Sequence, residues 1–508
     1  MKLMQDYFYD AARKHGSSVA FDSLDRETTF TDFYKRTVHL AGALDNLGIK
    51  KGDRVAILAE NCSDYIAYHY ATAMLGAILL VLNVRHTPGE LEWPINNAEA
   101  AALIIDGKNK KNLSGLIAGC PSINIKIGIG PVTEVDYATD ELADQHLEIK
   151  DPPALSDKDP VLLIYTSGTT GRPKGALQTH AGSTMIDSLT AELLEVSPAD
   201  VYLAFMPYFH QAGLIRTRMT MISGGKNVIV GKMDAESTVS HLVNKKISIT
   251  MLVPPFDLQI PKIAERDNIT FPSLRFIIGN GGAGPVHSKR MRAFCERFNC
   301  RYMGIYGQTE VTGPATIIFD KDYWERPYSC GKPMRGIDLQ IWGENNTSLP
   351  TNEVGEMMFR GKNTIPGYWR NDQGTQELYT GKWLHTGDLG KLDEEGFLYF
   401  VDRKKELIKT GGENVYPKEV EKALIDHPAI ADLAIIGLPD IDGWGELVTA
   451  VIIPKKGHTL THEELKEFCR GKIAGYKIPK AVKLVDEIPR TFIGRVKKFE
   501  LQEIFKQK

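Results

Sequence analysis

The eleven-residue run Tyr165-Thr166-Ser167-Gly168-Thr169-Thr170-Gly171-Arg172-Pro173-Lys174-Gly175 constrains this chain more than any other stretch, because it joins flexible backbone, hydroxyl donors and two cations. Glycine lets main-chain N–H groups turn toward an anion, the Ser and Thr hydroxyls add donors, and Arg172 and Lys174 supply charge. The run follows the apolar stretch Val161-Leu162-Leu163-Ile164. A buried strand therefore delivers it to the strand end, where α/β folds bind ligands. It is not the GxxxxGK[ST] loop of many nucleotide hydrolases, since Lys174 follows Pro173 and precedes Gly175. An ordinary polar turn of about three to six residues accounts for neither its length nor its cations. The run is expected to wrap phosphates.

A chain of 508 residues buries more than one core, and about two to four domains are expected. Its net charge of −3, with 25% charged residues, offers no nucleic-acid surface and favours a small-molecule partner. Cys62, Cys120, Cys295, Cys300, Cys330 and Cys469 form no CxxC pair, which argues against a zinc site or a disulfide framework and fits a reducing cytoplasm. The first residues carry no apolar signal core, and the longest apolar run, Ala77 to Leu82, is far short of a membrane span. A cytoplasmic chain that is not integral to a membrane is expected, and it is compatible with a homodimer.

Short aliphatic runs at Val55-Ala56-Ile57-Leu58, Ala102-Leu103-Ile104-Ile105, Val228-Ile229-Val230 and Phe276-Ile277-Ile278 alternate with helix-length amphipathic stretches, so the fold class is α/β. From about Leu339 to Val401 short strands are broken by Gly, Asn and Pro, which predicts a small β-rich, barrel-like subdomain. The charged segment Asp402-Arg403-Lys404-Lys405-Glu406 then reads as a joint before a small α+β domain. The expected division is residues 1–401, a hinge at 402–405, and 406–508.

Three further constellations stand at wide intervals. In Tyr306-Gly307-Gln308-Thr309-Glu310, the Tyr suits stacking on a base, Thr309 suits donation to a phosphate and Glu310 suits Mg²⁺. The carboxylate of Thr386-Gly387-Asp388 suits a ribose diol, and Arg403 lies in the joint. Each alone reads equally well as a buried Tyr, a solvated Asp or a surface Arg. Together, in this order, they resemble the acyl- and aryl-CoA synthetase branch of the adenylate-forming superfamily. The resemblance spans nearly the whole chain. It extends to Gly411-Gly412-Glu413-Asn414-Val415-Tyr416-Pro417 and to the tail from Tyr476-Lys477-Ile478-Pro479 through Gly494-Arg495-Val496.

The resemblance implies a large N-terminal domain and a mobile C-terminal domain that close over ATP and a carboxylic acid, forming acyl-AMP and then a thioester with coenzyme A. It implies that Thr166, Ser167, Gly168, Thr169, Thr170, Gly171 and Lys174 hold the phosphates. Tyr306 would pack on adenine, with Gly307 and Gln308 beside it, and Thr309 and Glu310 would serve the phosphates and Mg²⁺. Asp388 and Arg403 would bind ribose, Lys405 would be the hinge residue, and Gly411-Gly412 would approach the pantetheine arm. Cations and Mg²⁺ agree with the chemistry, because a carboxylate attacking a polyanion must overcome repulsion.

One position departs from the family pattern. The family carries Lys where Arg495 stands, and a planar guanidinium does not substitute simply for a compact ammonium. Three readings stand: Arg495 does the work, Lys497 or Lys498 reaches in, or adenylation is slow. The first is preferred, with Lys497 and Lys498 read as a solvated basic tail.

Gly279-Asn280-Gly281-Gly282-Ala283-Gly284 matches a dinucleotide GxGxxG, but Arg301-Tyr302-Met303-Gly304 stands where the acidic strand end belongs. In the family this turn, with Gly281, Gly282 and Ala283, lines the adenine and acyl pockets. Asp187-Ser188-Leu189 resembles a carrier-protein attachment site but lacks the preceding glycines. The acyl group is expected near Tyr208, His210, Gln211 and Gly304, where aromatic and small residues can form an apolar slot. His210 reads equally as a substrate contact or a packed histidine. Arg216 and Arg218 read as surface or structural charges, though a second substrate carboxylate would suit them. An aliphatic acid is the leading expectation. An aryl acid such as a hydroxycinnamate or benzoate, or a carrier protein in place of coenzyme A, is the alternative.

Overall fold

The computed structural model describes the chain apart from residues 1, 24–25, 167–171, 232–233, 254, 411–412, 440–444, 491–495 and 507–508. The described residues form two compact units: residues 1–339 with 359–384, and residues 340–358 with 385–508. The protein is α/β, as its alternating pattern predicts.

The first unit contains two largely parallel sheets. One runs in spatial order Tyr137–Ala138, Ile125–Ile129, Ala102–Asp106, Arg54–Leu58, Ile78–Val81, Pro160–Thr166 and Lys174–Thr179. All neighbours are parallel except the last pair, a hairpin. The central strands read as unbroken aliphatic runs because both faces are covered; Ala102–Asp106 is buried at every position. Leu80, Leu103, Ile105 and Leu163 meet Leu91, Ile95 and Leu116 in one core. Truncating a fully buried leucine such as Leu163 to alanine there costs about 2–5 kcal/mol.

In the other sheet, Arg301–Gln308, Phe276–Asn280, Ile249–Met251, Val201–Ala204, Lys226–Ile229 and Val19–Asp22 lie parallel in that order. Antiparallel partners Gly313–Phe319 and Glu27–Thr29 flank them. Helices His180–Leu193 and Gln211–Ile222 are buried around most of their circumference. Such helices show little amphipathic pattern in sequence.

Strands Ile337–Trp342, Gly355–Gly361, Trp383–Leu392 and Leu398–Arg403 lie in that order, the β-rich segment expected from sequence; the first three begin or end in the first unit and the fourth lies in the second. Beyond it, Ile430–Pro439, Glu446–Pro454 and Ala481–Leu484 make a three-stranded sheet. Period-two alternation sends Leu433 and Ile435 to one core with Leu424 and Leu465, and Ala434, Ile436 and Leu438 to another with Leu501. Packing thus groups residues 340–358 and 385–401 with the C-terminal domain, whereas the sequence reading cuts after residue 401.

Candidate active site

The run expected to wrap phosphates is flanked by two paired strands. Thr166 and Lys174 are opposite partners on strands Pro160–Thr166 and Lys174–Thr179, so both ends of the loop are fixed by the ladder. Ser167, Gly168, Thr169, Thr170 and Gly171 lie outside the described residues. The Thr166 hydroxyl lies 3.3 Å from Glu310 Oε1 and 3.4 Å from the Lys174 carbonyl. Tyr368 donates its phenol to the same Glu310 oxygen at 3.0 Å. Burial first, and then the Glu310 charge, push the Tyr368 phenol upward, so it stays a donor at neutral pH. Lys174 Nζ stands 5.1 Å from the centre of the Tyr368 ring. Arg172 lies over Trp93 at 4.3 Å, while the Trp93 indole donates to the Pro173 carbonyl at 3.2 Å. Trp93, Arg172, Pro173 and Lys174 line a cleft of about 250 Å³ with Trp369 and Arg370.

Glu310 is held by its backbone. Strand Arg301–Gln308 ends in the single turn Thr309–Val311, whose carbonyls at Thr309 and Glu310 accept from Gln178 Nε2 at 3.2 Å and from the Ile365 N–H at 3.0 Å. Gly307 precedes a tight crossing: a Cβ there would fall 1.8 Å from the Gly313 carbonyl oxygen. No side chain fits, and Gln308 passes directly into the turn. Tyr306 lies near-parallel to Phe359, ring centres 6.2 Å apart.

Gly304 and Gly281 make a second close approach. A Cβ on Gly304 would sit 3.1 Å from Gly281 Cα, and Gly282 adopts φ +73° in the turn that leads past exposed Ala283 to helix Pro285–Phe298. Strand Phe276–Asn280, the turn and the helix follow one another directly.

In the segment expected to meet the acyl group, Tyr208 is fully buried, accepts from the Thr217 hydroxyl at 3.3 Å and meets Tyr65 edge-on at 5.4 Å. His210 caps helix Gln211–Ile222, its Nδ1 accepting the Ala212 N–H at 3.2 Å. Burial depresses its pKa, so the ring is neutral with its proton on Nε2. Gln211 is buried beside Gly313, and its Nε2 has no hydrogen-bond partner among the described residues.

In the second unit, Asp388 and Arg403 are opposite partners on Trp383–Leu392 and Leu398–Arg403, with Oδ1 and Nε 3.1 Å apart. Thr386 shapes the approach, donating to the Met357 carbonyl at 2.7 Å and accepting from the Asp388 N–H at 3.1 Å. Glu356 stands between His385 and Lys404 at 3.1 and 2.8 Å. Burial would raise its pKa, but these two partners prevail and bring it down to about 2. Lys405 is exposed in the turn Lys404–Glu406. Gly411, Gly412 and Arg495 lie outside the described residues, although the flanking Thr410 and Glu413 are strand partners.

Family models agree with this arrangement of elements: the AMP-binding enzyme model matches residues 8–369 and the AMP-binding enzyme C-terminal domain model matches residues 419–495. The chain belongs to the AMP-binding enzyme family. Within it, the chain falls in the acyl- and aryl-CoA ligase branch of adenylate-forming enzymes that its motifs implied. It is similar to a 2-succinylbenzoate–CoA ligase of Bacillus cereus strain Q1, 30% identical over all of both chains. It is 31% identical to a feruloyl-CoA synthase of an Amycolatopsis species over 94% of each chain. Among solved structures it resembles the Bacillus subtilis o-succinylbenzoate CoA synthetase in complex with its acyl-adenylate intermediate, with TM-score 0.84, 26% identity and coverage of 98% of this chain and 97% of that one.

One sequence expectation for this AMP-binding enzyme is narrowed and another corrected. Of the surface and structural readings of Arg216 and Arg218, burial excludes the surface one: they are 1% and 0% exposed, because helix Gln211–Ile222 is enclosed and Arg218 is held by Asp187. Lys498 is not solvated: it is buried between Glu406 and Glu421 at 3.2 and 3.1 Å. Lys497 does face solvent, paired with Glu500. Sequence reasoning missed Tyr368, Trp93 and Trp369, none of which stands in a chemistry-bearing spacing. It also missed Glu356, whose two partners His385 and Lys404 are distant in sequence.

Proposed function

We propose that this AMP-binding enzyme uses ATP to join an aryl carboxylic acid to coenzyme A, with release of AMP and pyrophosphate. The meeting of Thr166, Tyr368 and Glu310 carries the reading: it sets a carboxylate, two hydroxyls and the Lys174 ammonium at the mouth of one glycine-rich loop. Glu310 suits Mg²⁺, because Oε1 takes both hydroxyls and Oε2 has no hydrogen-bond partner among the described residues. When bound there, Mg²⁺ supplies neutralisation of phosphate charge.

In the first half-reaction an acid carboxylate oxygen bonds to the α-phosphorus, the bond to the bridging oxygen breaks, and its electron pair leaves with pyrophosphate. Lys174, Thr166 and the loop 167–171 orient the phosphates, and Thr309 adds a hydroxyl donor. Tyr306 offers its face to adenine beside Gly281, Gly282, Ala283, Gly307 and Gln308. Asp388 and Arg403 take the ribose, and Arg495 supplies charge for this step. Lys498 is committed to its buried carboxylates and Lys497 is paired with Glu500, which favours Arg495 over both for this role. In the second half-reaction the thiolate sulfur of coenzyme A bonds to the acyl carbon and the bond to AMP breaks. Lys405 is the proposed hinge between the half-reactions, with residues 1–401 and 406–508 as the moving parts, and Gly411-Gly412 admits the pantetheine arm.

The sequence alone favoured an aliphatic acid. The relatives named for 2-succinylbenzoate and ferulate, and the edge-on pair Tyr65 and Tyr208 behind the acyl segment, favour an aryl acid instead. Acid-dependent pyrophosphate exchange across a carboxylate panel, with product analysis in the presence of coenzyme A or a holo carrier protein, tests the proposal. Exchange with benzoates or cinnamates and thioester formation with coenzyme A are expected. AMP release only with the carrier protein would overturn it.

A further inference from the structure

Helix Gln211–Ile222 buries two arginines that are treated differently. Arg218 uses Nε and Nη2 to grip both oxygens of Asp187 at 2.7 and 3.0 Å, while His69 Nε2 lies 3.2 Å from its Nη1. His69 adds no charge, because burial and then the Arg218 guanidinium drive its pKa well down. Arg216 is 1% exposed, yet neither its Nε nor its Nη1 has a partner, and it forms no ion pair among the described residues. Two guanidinium charges thus share one carboxylate whose oxygens are already taken. An uncompensated buried charge is among the most costly features a fold can carry, and it survives where something pairs it in use.

Its surroundings are polar. Tyr202 and Asn227 are opposite partners on neighbouring parallel strands and share a face of the sheet. The Tyr202 hydroxyl and the Asn227 Oδ1 are buried without hydrogen-bond partners among the described residues, and Asn227 Nδ2 reaches the Thr217 carbonyl of the same helix. The Tyr202 phenol, raised chiefly by burial, keeps its proton and remains a donor. Side chains on a helix lean toward its N-terminus, so Arg216 is directed back over Ala212 toward the end capped by His210. Six residues of rise place it about 9 Å along the axis from His210.

We propose that Arg216, with the Tyr202 hydroxyl, receives a second carboxylate at the far end of the acid, so that the substrate is a dicarboxylic acid with one group activated and the other held. This rests on the acid-activating reading above. Arg216 is then a specificity-determining residue, distinct from the groups that handle ATP.

The test compares matched acids, namely benzoate with terephthalate, cinnamate with 4-carboxycinnamate and hexanoate with adipate, on the wild-type protein and on Arg216→Met and Arg216→Lys. Expected is a kcat/KM at least ~100-fold higher for one dicarboxylate than for its monoacid, falling to about unity in Arg216→Met and partly restored in Arg216→Lys. Thermal melting with the same acids should show a dicarboxylate-specific rise in Tm that Arg216→Met lacks, while ATP binding measured by calorimetry is unchanged. Equal use of both members of every pair, or a preference that survives Arg216→Met, overturns the proposal and leaves the ligase reading standing. If no acid yields AMP, the ligase reading fails. The melting data then decide alone: a rise lost in Arg216→Met supports the anion site, and its absence refutes it.

Discussion

Thr166 and Glu310 stand 144 residues apart in sequence, yet the hydroxyl of one reaches the carboxylate of the other at 3.3 Å, and Tyr368 shares the same oxygen. Glu310→Gln keeps the shape of this cluster and removes its charge. Acid-dependent pyrophosphate exchange should fall about 100- to 1,000-fold with the melting temperature nearly unchanged. The Thr166→Val and Glu310→Gln effects should add to less than their sum, because the two act as a unit.

Gly307 has no room for a side chain against the Gly313 carbonyl. Gly307→Ala should force apart the strands that present Tyr306 and Glu310, weakening ATP binding at least ~10-fold by calorimetry. Gly381→Ala, where nothing lies within 4 Å although φ is +61°, controls for the general strain of losing a glycine.

The Asp388 and Arg403 pair predicts a different kinetic signature. Asp388→Asn should raise KM for ATP about 10- to 100-fold while leaving KM for the acid nearly constant, which initial-rate kinetics would resolve.

Glu356 links stability to pH. Its ordinary value near 4.5 falls to about 2 in the fold, so its contribution is present above pH 4.5 and is lost as pH falls toward 2. Urea unfolding should find Glu356→Gln less stable by roughly 3 kcal/mol at pH 6, with the gap narrowing through that window.

Much of this was legible in sequence because the signals are local. The aliphatic strands and the Tyr306 to Glu310 segment each announce themselves within a dozen residues. Pairings were not legible where partners are distant. Arg218 finds Asp187 on another helix, and Lys498 finds Glu406 and Glu421 across the C-terminal domain. Cationic runs near polar residues read as solvated faces when only neighbours in sequence are considered. Tyr368 joined the site through the fold alone, since an aromatic in a Gly- and Pro-broken stretch carries no chemical signature.

The central claim is that an acid oxygen becomes bonded to the α-phosphorus of ATP. The most direct measurement incubates the enzyme with ATP, coenzyme A and an aryl acid labelled with ¹⁸O in the activated carboxylate, followed by mass spectrometry of the nucleotide product. One ¹⁸O atom in AMP is predicted for each thioester formed. Unlabelled AMP, or label found in inorganic phosphate or pyrophosphate, would contradict the account.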